Sequence, residues 1–358
     1  MSKIIIQNGN MCELDLPLKF AQKLYNEFAI RHPNAFYLRT RQRGMQNWDG
    51  KIHYITKTGQ FKIGLLPKVY DMCIEMGIKP KVVDMRQPLP KVSKVVTNIG
   101  KYKLRPEQEK AVKAVINNKI GNTPFHIGVL DYTVNAGKTL IMSSLYLSYK
   151  KQLKTLLITN DSDWLNQARE EFKQYLPGED ITFVQGKVLN WSNFTIGMVQ
   201  SISRNMRFYQ KELSQIDMVL IDEADQGGSK QYQNVITRLF NTRIRIGLSG
   251  TIYMSKLAKD RVKNMNLECF FGKVLAEFKL KDSIKKGYST KTVVKMVPGK
   301  PWYGNWESDC ISYKEIYDDS ITNCYTAWLM AYNRLLWNLN QGRYPALVVC
   351  KHIAHCEN

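Results

Sequence analysis

No stretch of the 358 residues approaches the ~18 consecutive uncharged apolar positions that a membrane span requires, and the opening MSKIIIQNGN lacks the apolar core of a secretory signal. Cysteine is scarce: seven residues, at positions 12, 73, 269, 310, 324, 350 and 356, are never spaced C-x-x-C. That excludes a disulfide framework and leads us to expect reduced thiols in a soluble, cytoplasmic protein. Acidic residues are the other shortage. Only 31 Asp and Glu stand against 52 Lys and Arg, a net charge of +21, in a chain that is 44% hydrophobic and therefore not disordered. Such a balance points to a folded protein with a polyanionic partner, and no amphipathic basic helix is present to make that partner a membrane. The length suits two or three domains, without solenoid repeats.

Residues 1–90 hold 14 Lys and Arg against 7 Asp and Glu, a third of the surplus in a quarter of the chain. Leu16 to Phe28 has helical apolar spacing, Lys51 to Leu66 alternates around a turn at Thr58-Gly59, a helix from Pro67 to Met76 ends at Gly77, and Ile78 to Val83 returns as a strand. This small α+β module is closed by a proline-bearing linker, Arg86 to Pro90. From Leu104 the pattern becomes short apolar strands (125–130, 156–159, 181–184, 194–199, 218–221 and 244–248) alternating with amphipathic helices. That is the signature of an α/β domain with a largely parallel sheet, helices on both faces and a ligand at the carboxyl ends of the strands. We place its limits at 91–284. A third region, 285–358, reads as a strand over 291–297, an aromatic loop Trp302 to Trp306, helix over 312–339 and a strand at Ala346 to Cys350. Cys350, His352, His355 and Cys356 have metal-ligand types, but a strand end running into a helix start is the better reading.

The chemistry sits at two strand ends. After the first core strand comes Asn135-Ala136-Gly137-Lys138-Thr139, opening a helix. A helix N-terminus, a Lys ammonium and a hydroxyl for Mg²⁺ are what a nucleotide phosphate loop needs. Tyr132 and Asn135 depart from the usual glycines, so the tripeptide alone is weak. The strand 218–221, ending in Asp222-Glu223-Ala224-Asp225, strengthens it: adjacent carboxylates are costly to bury as core. In a nucleotide site Asp222 holds Mg²⁺ with Thr139, while Glu223 orients and deprotonates the attacking water. ATP and Mg²⁺ are the expected cofactors, with Glu223, Lys138 and Asp222 catalytic.

These motifs resemble, in order, those of the superfamily 2 helicases. Leu104-Arg105-Pro106-Glu107-Gln108 looks like the adenine-reading segment, which implies Arg105 and a bidentate Gln108 at the base. Asn160 with its neighbours, and Gln200-Ser201, are similar to the strand-end motifs that touch the DNA backbone; Leu248-Ser249-Gly250-Thr251 stands where hydrolysis is coupled to domain movement through Ser249 and Thr251. Ala346 to Lys351 looks like the first strand of a second RecA-like lobe. Asn47-Trp48-Asp49-Gly50-Lys51-Ile52 and the hairpin beyond it resemble the module ahead of the core in phage recombination helicases of the UvsW type. The resemblance implies a RecA-like core and an ATP-dependent helicase acting on branched DNA, in the host cytoplasm if the chain is phage-encoded. A double-strand translocase or motor subunit without strand separation is the runner-up, and a non-enzymatic DNA-binding protein the third reading.

For the basic module, Arg39, Arg41 and Arg43 fall on one face if that stretch is extended, and Lys51 follows on the hairpin; phosphate contact with duplex, branched or single-stranded DNA competes with a merely solvated face. Trp48 is read as core. Only eight residues follow Cys350, so the second lobe and its charge-stabilising arginine are expected to lie beyond this sequence, and the 358 residues alone to be nearly inactive.

Overall fold

The computed structural model describes residues 2–41, 45, 47–149, 152–186, 188–252, 260–291 and 325–342. Met1–Thr290 form one compact unit and Lys291–Asn358 a second.

The first unit opens with β1 (Lys3–Ile6), β2 (Met11–Asp15), α1 (Leu18–Glu27), β3 (Ala29–Arg31), α2 (Ala35–Arg41), β4 (Lys51–His53), β5 (Gln60–Lys62), α3 (Leu66–Glu75) and β6 (Lys81–Asp84). Four of these strands form a sheet in the order β5-β2-β1-β6, whose inward residues Ile4, Ile6, Cys12 and Phe61 are buried. The turn at Thr58-Gly59 is present, with Gly59 at φ +83°, a conformation glycine adopts without strain. Its two arms part, however: β4 pairs with β3 and β5 with β2, leaving the single bridge Ile55–Phe61 between them. The arginines also depart from the extended reading. Arg39 and Arg41 lie in α2, where positions two apart point in different directions, and Arg43 falls outside the described residues. Trp48 is half-buried, edge-on to His32, with its indole N–H donating to the Lys51 carbonyl at 2.9 Å, so it is not a core residue.

Two short hairpins follow, β7 (Asn98–Ile99) with β8 (Tyr102–Lys103) and, after α4 (Pro106–Ile116), β9 (Lys119–Ile120) with β10 (Thr123–Pro124). The core then runs β11 (His126–Tyr132), α5 (Lys138–Ser148), β12 (Thr155–Thr159), α6 (Ser162–Tyr175), β13 (Ile181–Gln185), β14 (Val188–Leu189), β15 (Phe194–Met198), α7 (Val199–Arg204), α8 (Gln210–Ser214), β16 (Met218–Asp222), α9 (Lys230–Ile236), β17 (Ile244–Ser249), α10 (Arg261–Phe271), β18 (Val274–Phe278) and α11 (Leu280–Lys285). All six expected core strands are present. Seven strands run parallel in the order β13-β15-β12-β16-β17-β11-β18, with β14 antiparallel at the edge, which is a RecA-like sheet. Every residue of β11, β12, β16 and β17 is buried, as strands covered on both faces must be. Helix α6 shows the local logic: Asp161 caps it, accepting from the N–H groups of Asp163 and Trp164, and Leu165, Ala168 and Phe172 face inward at helical spacing.

The basic module is fused to one face of this sheet. Its Ile4, Ile6 and Phe61 share one apolar cluster with Ile127, Val129, Ile221 and Phe271. Arg245, fully buried on β17, donates to the Gly9 carbonyl at 2.6 Å, Asn10 Oδ1 at 2.7 Å and the Phe270 carbonyl at 3.1 Å. The proline segment is held too: Arg243 donates to the carbonyls of Gln87 and Pro88, and Arg86 to that of Thr242. Gly64 lies so close to α10 that an added Cβ would stand 2.1 Å from the Glu268 carbonyl oxygen. Gly64→Ala should therefore destabilise the unit by about 2–3 kcal/mol, measured as a lowered urea midpoint.

In the second unit the described helix is α12 (Tyr325–Asn340), which overlaps the helix expected over 312–339 and ends one residue beyond it. The expected strands at 291–297 (beyond Lys291) and 346–350, the 302–306 loop and the Cys350, His352, His355, Cys356 group lie outside the described residues. Among the described residues no helix is long and apolar enough to cross a membrane.

Candidate ATP and nucleic-acid sites

Parallel strands bring their carboxyl ends to one edge, and the phosphate-loop and acidic segments meet there. Gly137, at φ +73°, ends the loop and caps α5, whose first N–H groups have no intrahelical acceptor and face the strand ends. Asn135 stands at φ +60°, the left-handed region that Asn tolerates better than most residues, which accounts for its replacing a frequent glycine. Tyr132 is accommodated because it is still in the strand: its ring is buried, and its hydroxyl donates to the Glu107 carbonyl at 2.7 Å.

Lys138 Nζ lies 3.4 Å from Asp222 Oδ1 and 3.6 Å from Glu223 Oε1. Burial pushes both carboxyls above their usual range, with the Lys138 charge opposing it. Asp222 is 2% exposed, and its Oδ1 has no hydrogen-bond donor. An ammonium, the Thr139 hydroxyl, a helix N-terminus and an under-satisfied buried carboxylate form a donor set that fits a magnesium-bound triphosphate. Glu223 sits at φ +51°, strained for a non-glycine residue, so the chain is bent to present this carboxylate at the strand end. Ser249, buried at the end of β17, donates to Asp225 Oδ1 at 3.0 Å and accepts from the Thr251 N–H at 3.2 Å, so Ser249 touches the acidic loop and Thr251 touches Ser249.

Gln108 has a structural task at the start of α4. It is 1% exposed; its amide nitrogen donates to the Ala136 carbonyl at 2.8 Å, and its oxygen accepts from the Arg105 N–H at 2.8 Å. Each half of the amide thus makes one bond, and Gln108 ties the loop before α5 to the start of α4. The chain leaving the sheet crosses the same segment. Lys279 pairs with Asp131, Lys286 Nζ lies 2.7 Å from Glu107 Oε2, and the Arg105 guanidinium lies 4.0 Å over the Tyr288 ring.

The expected nucleic-acid residues fall into two groups. At the ends of β12 and β15, Gln200 Nε2 donates to the Asn160 carbonyl at 3.2 Å, Asn160 Nδ2 donates to Gln226 Oε1 at 2.5 Å, and the Ser201 hydroxyl accepts from the Gly186 N–H at 2.9 Å. In the basic module Arg31, Arg39 and Lys51 line one cleft of about 560 Å³ with Phe36, whose ring is 80% exposed. Arg41 stacks over Tyr37 instead, 4.9 Å from its ring centroid. Sequence reasoning missed Arg31 and Phe36; a Phe-Tyr pair inside a basic stretch was the available signal.

Fold and site together define a RecA-like core whose strand ends bring a phosphate-loop lysine to two adjacent carboxylates. Residues 101–254 match the family described as "Type III restriction enzyme, res subunit". The chain is similar to the ATP-dependent DNA helicase uvsW of Enterobacteria phage T4, at 22% identity over 228 residues that cover 58% of this chain and 43% of that protein. It thus spans less than half the length of this curated relative. Two crystal structures of UvsW from bacteriophage T4 share the fold at a TM-score of 0.60 and 20% identity; each match covers 77% of this chain, with 99% of one structure's chain and 56% of the other's.

Proposed function

We propose that this protein is an ATP-dependent DNA helicase that unwinds or branch-migrates branched DNA, such as recombination intermediates and stalled forks, and couples hydrolysis to closure of two lobes on DNA. The observation that carries this reading is Lys138 set between Asp222 and Glu223 at the carboxyl edge of a RecA-like sheet. Lys138, Thr139 and Asp222 would hold the magnesium-bound triphosphate, and Asn135, Ala136 and Gly137 would wrap it. The bound metal would supply charge neutralisation at the phosphates. Glu223 orients water and takes its proton, and its raised pKa brings it nearer to the range of a base at neutral pH. Residues 1–90 serve as the duplex-gripping domain, 91–284 as the first lobe and 285–358 as the start of the second. Asn160, Gln200 and Ser201 meet the strand that is tracked.

The test is ATP-dependent strand displacement by the full-length protein on forked and on blunt duplexes. Displacement on forks supports the helicase reading. DNA-stimulated hydrolysis without displacement supports the translocase reading, which the family description of residues 101–254 keeps in view. Replacing Arg31, Arg39 and Lys51 together by Gln should weaken DNA binding alike for all sequences. It should also flatten the plot of log affinity against log salt by about 0.9 per lost B-DNA phosphate contact, about 2.7 in all. An unchanged slope would make the cleft a solvated face.

A further inference from the structure

We infer that Gln226 is a positioning residue through which bound DNA acts on ATP hydrolysis, an inference that rests on the helicase reading above. Glu223 stands in a strained conformation at the head of the 3-10 turn Ala224–Gly228, so its aim depends on what holds that turn. Three ties do so. The Gln226 N–H donates to the Glu223 carbonyl at 3.0 Å, Ser249 donates to Asp225, and Asn160 donates to the Gln226 side chain. They differ in what surrounds them. Ser249 is wholly buried, so its tie persists whatever is bound. The Gln226 side chain is exposed, and water competes for its bond to Asn160.

Asn160 is itself anchored from the start of α7 by Gln200, whose Oε1 is buried without a donor. A strand lying across the ends of β12 and β15 would cover Asn160 and Gln226, exclude water from the bond between them and strengthen it. The turn beneath Glu223 would stiffen only when DNA is present. Gln226 is three residues from the proposed base and one hydrogen bond from the proposed DNA contact, which makes it the shortest side-chain link between the two.

The experiment compares phosphate release by the full-length wild-type protein and Gln226→Ala, with and without a saturating single-stranded oligonucleotide. In Gln226→Ala the DNA-stimulated kcat should fall about tenfold, the scale of one hydrogen bond made strong by exclusion of water. Basal kcat and the KM for ATP should stay at wild-type values, and the oligonucleotide Kd should rise by no more than the factor by which DNA strengthens the lost bond. Adding Gln226→Ala to Asn160→Ala at saturating oligonucleotide should lower the stimulated rate no further. Retained stimulation in Gln226→Ala would overturn the inference. So would a parallel fall in basal kcat or a rise in KM, which would make Gln226 a structural part of the turn. A wild-type protein indifferent to DNA would overturn the helicase reading, and this inference with it.

Discussion

Lys138→Ala is expected to lower DNA-stimulated ATP turnover by about 10²–10³-fold, the scale on which one preorganised charge-stabilising donor acts. Its ammonium lies 3.4 Å from Asp222 and 3.6 Å from Glu223, and Lys138 is no part of either apolar core cluster, so the fold should survive. Glu223→Gln should differ in kind. It removes the proposed base, with an expected loss of about 10²–10⁴ in kcat, but leaves the Lys138, Thr139 and Asp222 donor set in place. Nucleotide affinity should therefore hold in Glu223→Gln and drop in Lys138→Ala. Equilibrium binding of a fluorescent ATP analogue beside phosphate release separates the two, and an equal loss of binding in both variants would contradict the assigned roles.

Arg245→Ala should destabilise the first unit by about 3–5 kcal/mol, because it strips charged donors from three buried acceptors and leaves a void. Burial depresses the guanidinium pKa, with Arg86 adding to the effect, so the folded state tolerates this charge only because Gly9, Asn10 and Phe270 surround it. Arg245→Met fills most of the volume and should recover part of the loss. Urea unfolding measures both variants. A loss below about 1 kcal/mol in Arg245→Ala would show that the shared apolar cluster alone holds the module to the sheet.

The sheet was legible because strands buried on both faces write continuous apolar runs, and parallel strands bring the ends of 126–132 and 218–222 to one edge whatever the loops do. Strand β18 was not: Val274–Phe278 lies at the sheet's edge with three of its five residues only partly buried or exposed, so it lacks such a run. The basic stretch misled for a related reason. Alternating arginines look extended, but Ala35 to Leu38 close a helical turn after Pro33-Asn34, with the Leu38 N–H donating to the Asn34 carbonyl. Gln108 shows a further limit. Its type fits an adenine edge on paper, and only the fold reveals the bonds its amide makes to Arg105 and Ala136.

The chain that crosses Arg105 to Gln108 has a further consequence. Contacts at Lys279, Lys286 and Tyr288 pin ten consecutive residues to Asp131, Glu107 and Arg105, and the second unit begins at Lys291. Glu107 and Arg105 each touch this stretch directly, so a displacement of either is felt first at residues 286 and 288. Glycine at 287, at φ +73°, lies between those two residues and is where this stretch turns.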